Sequence, residues 1–135
     1  MKRIYLLLLI LLLALGIGGY AAYNELFPMA KPIVVAQQEQ IQSVSVSLQD
    51  VAETTITDAT ALLAMIADAE PTRIMSVNDY PTAKVYYTVT AAVPEREYRY
   101  FVYEDNGEVL IEIPYEGVYR ADRELLVQIK KMIES

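Results

Sequence analysis

Carboxylates are the side chains of this sequence with the clearest capacity for chemistry. The chain contains no histidine and no cysteine, so it offers neither an imidazole base nor a thiolate nucleophile. Asp79 and Glu112 lie in two polar segments rich in aromatic residues, and two carboxylates that flank a glycosidic bond can hydrolyse it. A glycan-acting enzyme is therefore one hypothesis, which we rank below a non-catalytic role. We predict no catalytic residue, no metal ligand and no cofactor.

The same two segments are the best candidate for a binding site. Carboxylate, amide and tyrosine groups present hydrogen-bonding atoms and flat apolar faces to a peptide, a glycan or a cation. The candidate residues are Asn78, Asp79, Glu112, Tyr115, Glu116 and Tyr119. Turn chemistry explains most of them without a ligand, because Asn and Asp cap turns and glycine permits unusual backbone angles. We favour this structural interpretation, in which Tyr115 and Tyr119 pack beneath a loop.

The pattern of the chain predicts that an α+β domain positions these segments. Alternating valines and serines at 41–48 are typical of a half-buried strand, and the spacing of Leu62, Leu63 and Ile66 is helical. The fold class that we predict is an antiparallel sheet built from a strand, a helix, a three-stranded meander and a C-terminal helix. Its elements are a strand at 41–48, a short extended piece at 53–57, a helix between Asp58 and Pro71, strands at 84–93, 97–104 and 108–113, and a helix from Asp122 to Ile133.

Tyrosines in the meander suggest a second surface. Tyr86, Tyr98 and Tyr100, together with Leu110, would form an exposed aromatic face if both helices covered the opposite side of the sheet. Half-buried tyrosines are also common in antiparallel strands. We therefore favour positions in the core or at its rim. Asp105-Asn106-Gly107 is predicted to be a tight turn rather than part of a calcium loop.

The N-terminal residues predict export. Residues 4–23 are almost entirely apolar, and a helix of this length can cover a hydrocarbon core of about 30 Å. Lys2 and Arg3 precede the run and Glu25 is the first charge after it, so the rest of the chain is expected on the extracytoplasmic side of a single-pass anchor in the cell membrane. The alternative is a signal peptide cut after Ala21, which would give a secreted protein. We favour the anchor, because the apolar run continues to Ala22.

Three parts are expected: a transmembrane anchor or signal peptide at 1–23, a linker at 24–40 that contains two prolines, and an extracytoplasmic domain at 41–135. Without cysteine the domain has no disulfides. The net charge is −7 and the basic residues alternate with acids, so we expect no nucleic-acid partner. The expected partners are the membrane, through residues 4–23, and a protein or peptide of the cell envelope.

Several phrases carry a resemblance to a known family. They are Thr72 with Ser76-Val77-Asn78-Asp79-Tyr80-Pro81, Tyr103 before the Asp105-Asn106-Gly107 turn, and Ile111-Glu112-Ile113-Pro114-Tyr115-Glu116-Gly117-Val118-Tyr119. Over roughly residues 41–130 the chain resembles a family of small exported or membrane-anchored domains of unknown function from Firmicutes. The resemblance implies the α+β fold and the extracytoplasmic location, and it implies no activity. Many relatives resemble lipoproteins anchored through cysteine, whereas this chain would depend on its helix.

These observations favour a non-catalytic interaction or sensory module tethered at the cell envelope. The alternative is a structural or assembly subunit at the membrane, in which the glycines between Gly16 and Gly19 let helices approach closely. A carboxylate-based enzyme ranks third, so the chain is predicted not to be an enzyme.

Overall fold

The computed structural model describes residues 1–35 and 38–134. An N-terminal helix, α1 (Lys2–Leu26), precedes a domain built from strands and two further helices. A 3-10 turn lies at Gln38–Gln40. The remaining elements are β1 (Ser43–Leu48), β2 (Val51–Ile56), α2 (Thr60–Ala67), β3 (Glu70–Pro71), β4 (Tyr87–Val93), β5 (Arg96–Asp105), β6 (Glu108–Ile113), β7 (Gly117–Ala121) and α3 (Arg123–Glu134).

The strands form one antiparallel sheet in the order β2-β1-β4-β5-β6-β7-β3. The predicted α+β class is confirmed. The predicted turn between β5 and β6 is also confirmed, because Asn106 and Gly107 have φ angles of 50° and 80°. Positive φ at both central residues is typical of the hairpin turns that match strand twist. This turn sets Asp105 opposite Glu108 and fixes the register of β6.

The meander is longer than predicted, because β7 adds a fourth strand after β6. Val118 in β7 lies opposite Glu112 in β6. A five-residue segment that begins with glycine has too few alternating positions to be recognised as a strand, and pairing with β6 gives it that conformation. β2 forms one edge of the sheet, and the two-residue strand β3 forms the other.

One face of the sheet packs against α2 and α3 to form the core. Tyr100 lies on this face opposite Val89 and is 2% exposed, whereas Leu110 pairs with Tyr103 and is buried on the opposite face. The hypothesis of one exposed tyrosine face is therefore wrong, because its members are divided between the two sides of the sheet. The favoured core position is confirmed for Tyr100.

A long loop, residues 72–86, covers the second face of the sheet. Phe101 on this face packs against the rings of Tyr80 and Tyr86, at centroid distances of 5.7 and 5.6 Å. Thr88 and Glu112 are buried beneath the same loop. This cover holds the segment Ser76–Pro81 against the sheet and creates the surroundings of the candidate site.

The segment after α1 packs on the domain, although the sequence places it in the linker. The amide of Ala30 donates a hydrogen bond to the carbonyl of Thr72 at 3.0 Å. The side chain of Ile33 is buried in the core. Gly117 passes so close to this segment that an added Cβ would lie 2.6 Å from the Cβ of Ala30. The contacts of the domain thus begin ahead of residue 41.

α1 itself has no buried residue, and it is the one described helix long and apolar enough to cross a membrane. Its most apolar 18-residue stretch has a mean hydropathy of 2.4. Leucine and isoleucine side chains project on all sides of the helix and remain exposed. Burying such a surface in an apolar environment is strongly favourable, and both a membrane anchor and a signal sequence have this character.

Candidate functional site

Glu112 lies at the centre of the candidate site. Its position in β6 alternates with Ile111 and Ile113, so its side chain projects from the face that the loop covers. Only 8% of the residue is exposed. The carboxylate accepts hydrogen bonds from Ser76 Oγ and from the Tyr103 hydroxyl, both at 3.1 Å. Two uncharged hydroxyl groups therefore take the place of water as hydrogen-bond donors to the buried carboxylate.

The hydrogen bonds continue from Glu112 to the surface. Ser76 Oγ accepts a hydrogen bond from the backbone amide of Tyr115 at 3.3 Å. The Tyr115 hydroxyl donates to Asp79 Oδ1 at 2.7 Å. This chain of contacts joins the loop over the sheet to the turn between β6 and β7, so the two segments singled out in the sequence face each other.

The environment keeps both tyrosines of this network protonated. Burial raises the pKa of the Tyr103 hydroxyl well above its usual range, and the negative charge of Glu112 raises it further. The hydrogen bond to Asp79 raises the pKa of the Tyr115 hydroxyl. Both groups therefore act as donors near neutral pH. Both hydroxyls therefore keep donating to the carboxylates of Glu112 and Asp79.

The structure brings together three of the six candidate residues: Asp79, Glu112 and Tyr115. Asn78 lies in the same loop and is exposed, and Glu116 is exposed in the turn between β6 and β7. Tyr119 lies on the opposite face of the sheet, where it is buried and its hydroxyl donates to the carbonyl of Lys31 at 2.6 Å. Tyr119 is therefore part of the structural core rather than of this site.

Tyr115 does not pack beneath the loop as predicted. Its side chain is 66% exposed, and its φ angle of 63° is left-handed. A turn at this position directs the ring outward. Tyr119 is buried, with 1% of the residue exposed, but it lies on the core face and not beneath the loop as predicted.

Sequence reasoning missed Ser76 and Tyr103 as partners of Glu112. Alternation along β5 gives the one signal that was available, because it places Tyr103 on the same face as Phe101. The contact between Ser76 and Glu112 joins residues 36 positions apart. It depends on how the long loop returns across the sheet, and no periodic pattern encodes that path.

A cleft of about 790 Å³ opens beside Glu112, and we name it the Glu112 cleft. The loop forms one wall, the ends of β5 and β6 form the floor, and α3 contributes the far rim. The polar residues that line it are Ser76, Asn78, Thr82, Lys84, Tyr87, Tyr103, Glu104, Asp105, Glu112 and Lys130. A carboxylate has about four acceptor sites, so two hydroxyl donors leave capacity on Glu112 for a ligand N–H group.

Replacement of Glu112 should destabilise the domain. We expect Glu112→Ala to lower the free energy of unfolding by about 2–3 kcal/mol, because the buried Ser76 hydroxyl and the half-buried Tyr103 hydroxyl lose a charged partner. Urea unfolding monitored by circular dichroism measures this change. Glu112→Gln keeps one acceptor oxygen and should lose less, and Glu116→Ala is a matched control at an exposed position. Equal stability of the three variants would show that the network does not hold the loop.

Tyr100 offers a test of buried polar groups on the core face. Its hydroxyl is buried without a hydrogen-bond partner in the described part of the chain. We therefore expect Tyr100→Phe to be neutral or to stabilise the domain by up to about 1 kcal/mol. Tyr103→Phe removes a donor to Glu112 and should instead cost about 1–2 kcal/mol. Urea unfolding of both variants measures these changes. A clear loss of stability in Tyr100→Phe would show that this hydroxyl has a hydrogen-bond partner.

The same residue predicts the response to alkaline pH. Burial, followed by the neighbouring Tyr98, raises the pKa of Tyr100 to about 12, whereas tyrosine in the unfolded chain has a pKa of about 10. The unfolded state releases its proton first. The titration of Tyr100 therefore leaves stability unchanged below pH 10 and lowers it as pH rises from 10 towards 12. The expected slope for this tyrosine is about 1.4 kcal/mol per pH unit. Unfolding measured against pH should show a shallower decline in Tyr100→Phe, and an unchanged decline would contradict the assignment.

The fold and the site together define an antiparallel α+β domain that follows an apolar helix. Its site contains a buried carboxylate that accepts hydrogen bonds from two hydroxyl groups. Residues 29–120 match the model of a family described as "Domain of unknown function (DUF5300)", and the chain belongs to this family. The match begins ahead of residue 41, in the segment that packs against Thr72 and Gly117.

A solved structure supports the same architecture. The chain is similar to a protein described as "NMR structure of the protein from Ruminococcus gnavus", with 27% sequence identity and a TM-score of 0.55. The similarity covers 65% of this chain and 89% of that chain. A search of the curated proteins gave no significant match.

Proposed function

We propose that this chain is a membrane-tethered, extracytoplasmic domain that binds a protein or peptide of the cell envelope without catalysing a reaction. The observation that carries the proposal is the fully exposed apolar surface of α1, which requires an apolar environment that the domain does not provide. Lys2 and Arg3 precede this helix and favour an orientation with the domain outside.

The organisation of the Glu112 site supports binding rather than catalysis. A general acid or base must be within reach of its substrate. Glu112 instead accepts hydrogen bonds from Ser76 and Tyr103 beneath the loop. Asp79, the other carboxylate of the enzymatic hypothesis, accepts a hydrogen bond from Tyr115 at the surface. Glu112 and Asp79 therefore accept hydrogen bonds that fix the shape of a recognition surface.

The exposed part of this network is the proposed contact surface. Asn78, Asp79 and Tyr115 are exposed beside one another in the two facing segments. An exposed tyrosine ring held by a hydrogen bond supplies apolar contact area at a small cost in conformational entropy. Such a ring is suited to an extended peptide or to the surface of a second protein.

Crosslinking in cells tests the proposal. A photoreactive amino acid at Asn78 should crosslink the full-length protein to an envelope protein, and Tyr115→Ala should reduce that crosslinking while the melting temperature stays within about 2 °C of the wild type. A photoreactive group at Asp68, on the side of the sheet that carries α2, is the matched control. Equal crosslinking from both positions would contradict a specific surface, and crosslinks between copies of the chain alone would indicate an assembly subunit instead.

A further inference from the structure

We propose that the end of the domain next to α1 docks on the phospholipid head groups of the membrane that α1 crosses. We name this end the anchor pole; it comprises residues 27–31, the turn between β4 and β5, and the start of the loop at 73–75. The inference rests on the proposed function, because it requires α1 to be a retained anchor. It adds a defined orientation and a lipid-binding surface.

Direct contacts place the anchor pole at the end of α1. The Arg73 guanidinium donates a hydrogen bond from Nη1 to the carbonyl of Phe27 at 2.7 Å and lies 4.8 Å from the centroid of the Tyr23 ring. Tyr23 is the last residue of the predicted span. Because a helix rises about 1.5 Å per residue, Phe27 lies about 6 Å beyond Tyr23 along the axis. These contacts leave the pole at the level of the lipid head groups.

Exposed apolar side chains cluster at the same end. Phe27, Met29, Ile74 and Met75 are 49%, 54%, 55% and 61% exposed. Met29, Ile74 and Met75 border one cleft of about 950 Å³, which also reaches Tyr115. Clustered apolar residues at a surface commonly mark a contact with a partner or a membrane. Here the anchor itself brings the membrane to the patch.

The charges at the anchor pole complement an anionic membrane. The ion pairs in the described part of the chain involve Arg99, Arg120 and Arg123. Lys31, Arg73 and Arg96 have no carboxylate partner among the described residues. Arg73 instead contacts Phe27 and Tyr23, and the Arg96 guanidinium lies 4.2 Å from the centroid of the Tyr98 ring. Their positive charges are therefore not neutralised by a carboxylate and can attract phosphate groups.

The acids divide unevenly between the two ends of the domain. Glu95 and Glu97 lie at the anchor pole, where Glu97 pairs with Arg99, and Glu116 lies in the neighbouring turn between β6 and β7. The far end, where β5 turns into β6 and α3 begins, carries five acids against two paired arginines, Arg120 and Arg123. The acids are Glu104, Asp105, Glu108, Asp122 and Glu124. The chain has a net charge of −7, and the anchor pole is the less acidic end of its domain. An anionic surface therefore repels this end least, and the cations without a carboxylate partner attract it.

Quenching by lipids tests the docking on the full-length protein in vesicles. The cysteine-free chain accepts single fluorescent labels at Met75→Cys on the anchor pole, at Asn106→Cys on the far end and at Leu12→Cys within α1. Vesicles contain phosphatidylcholine alone or mixed with phosphatidylglycerol, with spin labels on the head groups or deep in the acyl chains.

We expect the label at position 75 to be quenched by head-group spin labels, more strongly with phosphatidylglycerol, and the label at 106 to remain unquenched. Replacing Arg96 by glutamine should reduce the docked population about fivefold in the anionic vesicles, because one cation near such a surface contributes about that factor. Arg120→Gln on β7, which is paired with Glu108, is the matched control and should have no effect.

The label at position 12 separates the two proposals. If deep spin labels quench position 12 and no lipid label quenches position 75, α1 is inserted and the docking proposal is overturned. If deep spin labels fail to quench position 12, the membrane anchor fails as well. Quenching of position 75 that is insensitive to phosphatidylglycerol and to Arg96→Gln would overturn the assigned role of the cations.

Discussion

Gly117→Ala should lower the free energy of unfolding by about 3 kcal/mol, the largest effect that we expect from a single methyl group in this domain. The φ angle of Gly117 is 152°, a region that L side chains rarely adopt. An added Cβ would also lie 2.6 Å from the Cβ of Ala30, so the segment at 28–35 must move. Urea unfolding of the full-length protein in detergent measures the loss.

Two further variants separate the backbone strain from the clash. Gly107→Ala has a positive φ of 80° but open space around the added methyl group, so it should cost only about 1 kcal/mol. Combining Ala30→Gly with Gly117→Ala removes the clash and should recover part of the lost stability. If the double variant loses as much stability as the two single variants lose in sum, the clash between Ala30 and Gly117→Ala does not cause the destabilisation.

Deletion of residues 2–22 should move the protein completely from the membrane pellet to the soluble fraction while the domain stays folded. α1 contributes no buried side chain to the domain, and the deletion retains the contacts of Tyr23 and Phe27 with Arg73. The melting temperature should therefore be unchanged. Carbonate extraction of cells that express each form, followed by thermal unfolding of the purified proteins, measures both outcomes.

A substitution control keeps the length of the helix. Leu9→Arg together with Leu12→Arg places two charges at its centre, each at a cost of about 3 kcal/mol for insertion, and should release a large fraction of the protein. Leu9→Ile with Leu12→Ile should remain in the pellet. A deletion variant that still resists carbonate extraction would show that the domain, rather than α1, holds the protein at the membrane.

Local patterns predicted the centre of the fold well. The Asn106-Gly107 turn fixed β6 from Glu108 to Ile113 as expected, since two residues with positive φ define the register of a hairpin. β7 was not predicted, because its extended conformation depends on pairing with β6 and not on a pattern in its own residues. The segment at 28–35 was assigned to a linker on account of Pro28 and Pro32, although Ile33 enters the core.

The candidate site was predictable only in part, for a related reason. The sequence identified two segments with suitable side chains, and the structure shows that Asp79 and Tyr115 meet across them. Whether Glu112 is exposed or buried depends on the loop that returns over the sheet. That loop has no period, so neither its path nor the contact between Ser76 and Glu112 follows from local propensity.

Labelling of a single cysteine in intact cells tests the central claim, that the domain is held outside the cell by a retained α1. Lys131 is exposed on α3, and Lys131→Cys creates a unique thiol. We expect a membrane-impermeant maleimide to label it in intact cells, on a protein that sediments with the membrane and retains Met1–Ala22 by mass spectrometry. Labelling that requires cell lysis would contradict the orientation, and a labelled protein found in the medium without these residues would contradict the anchor.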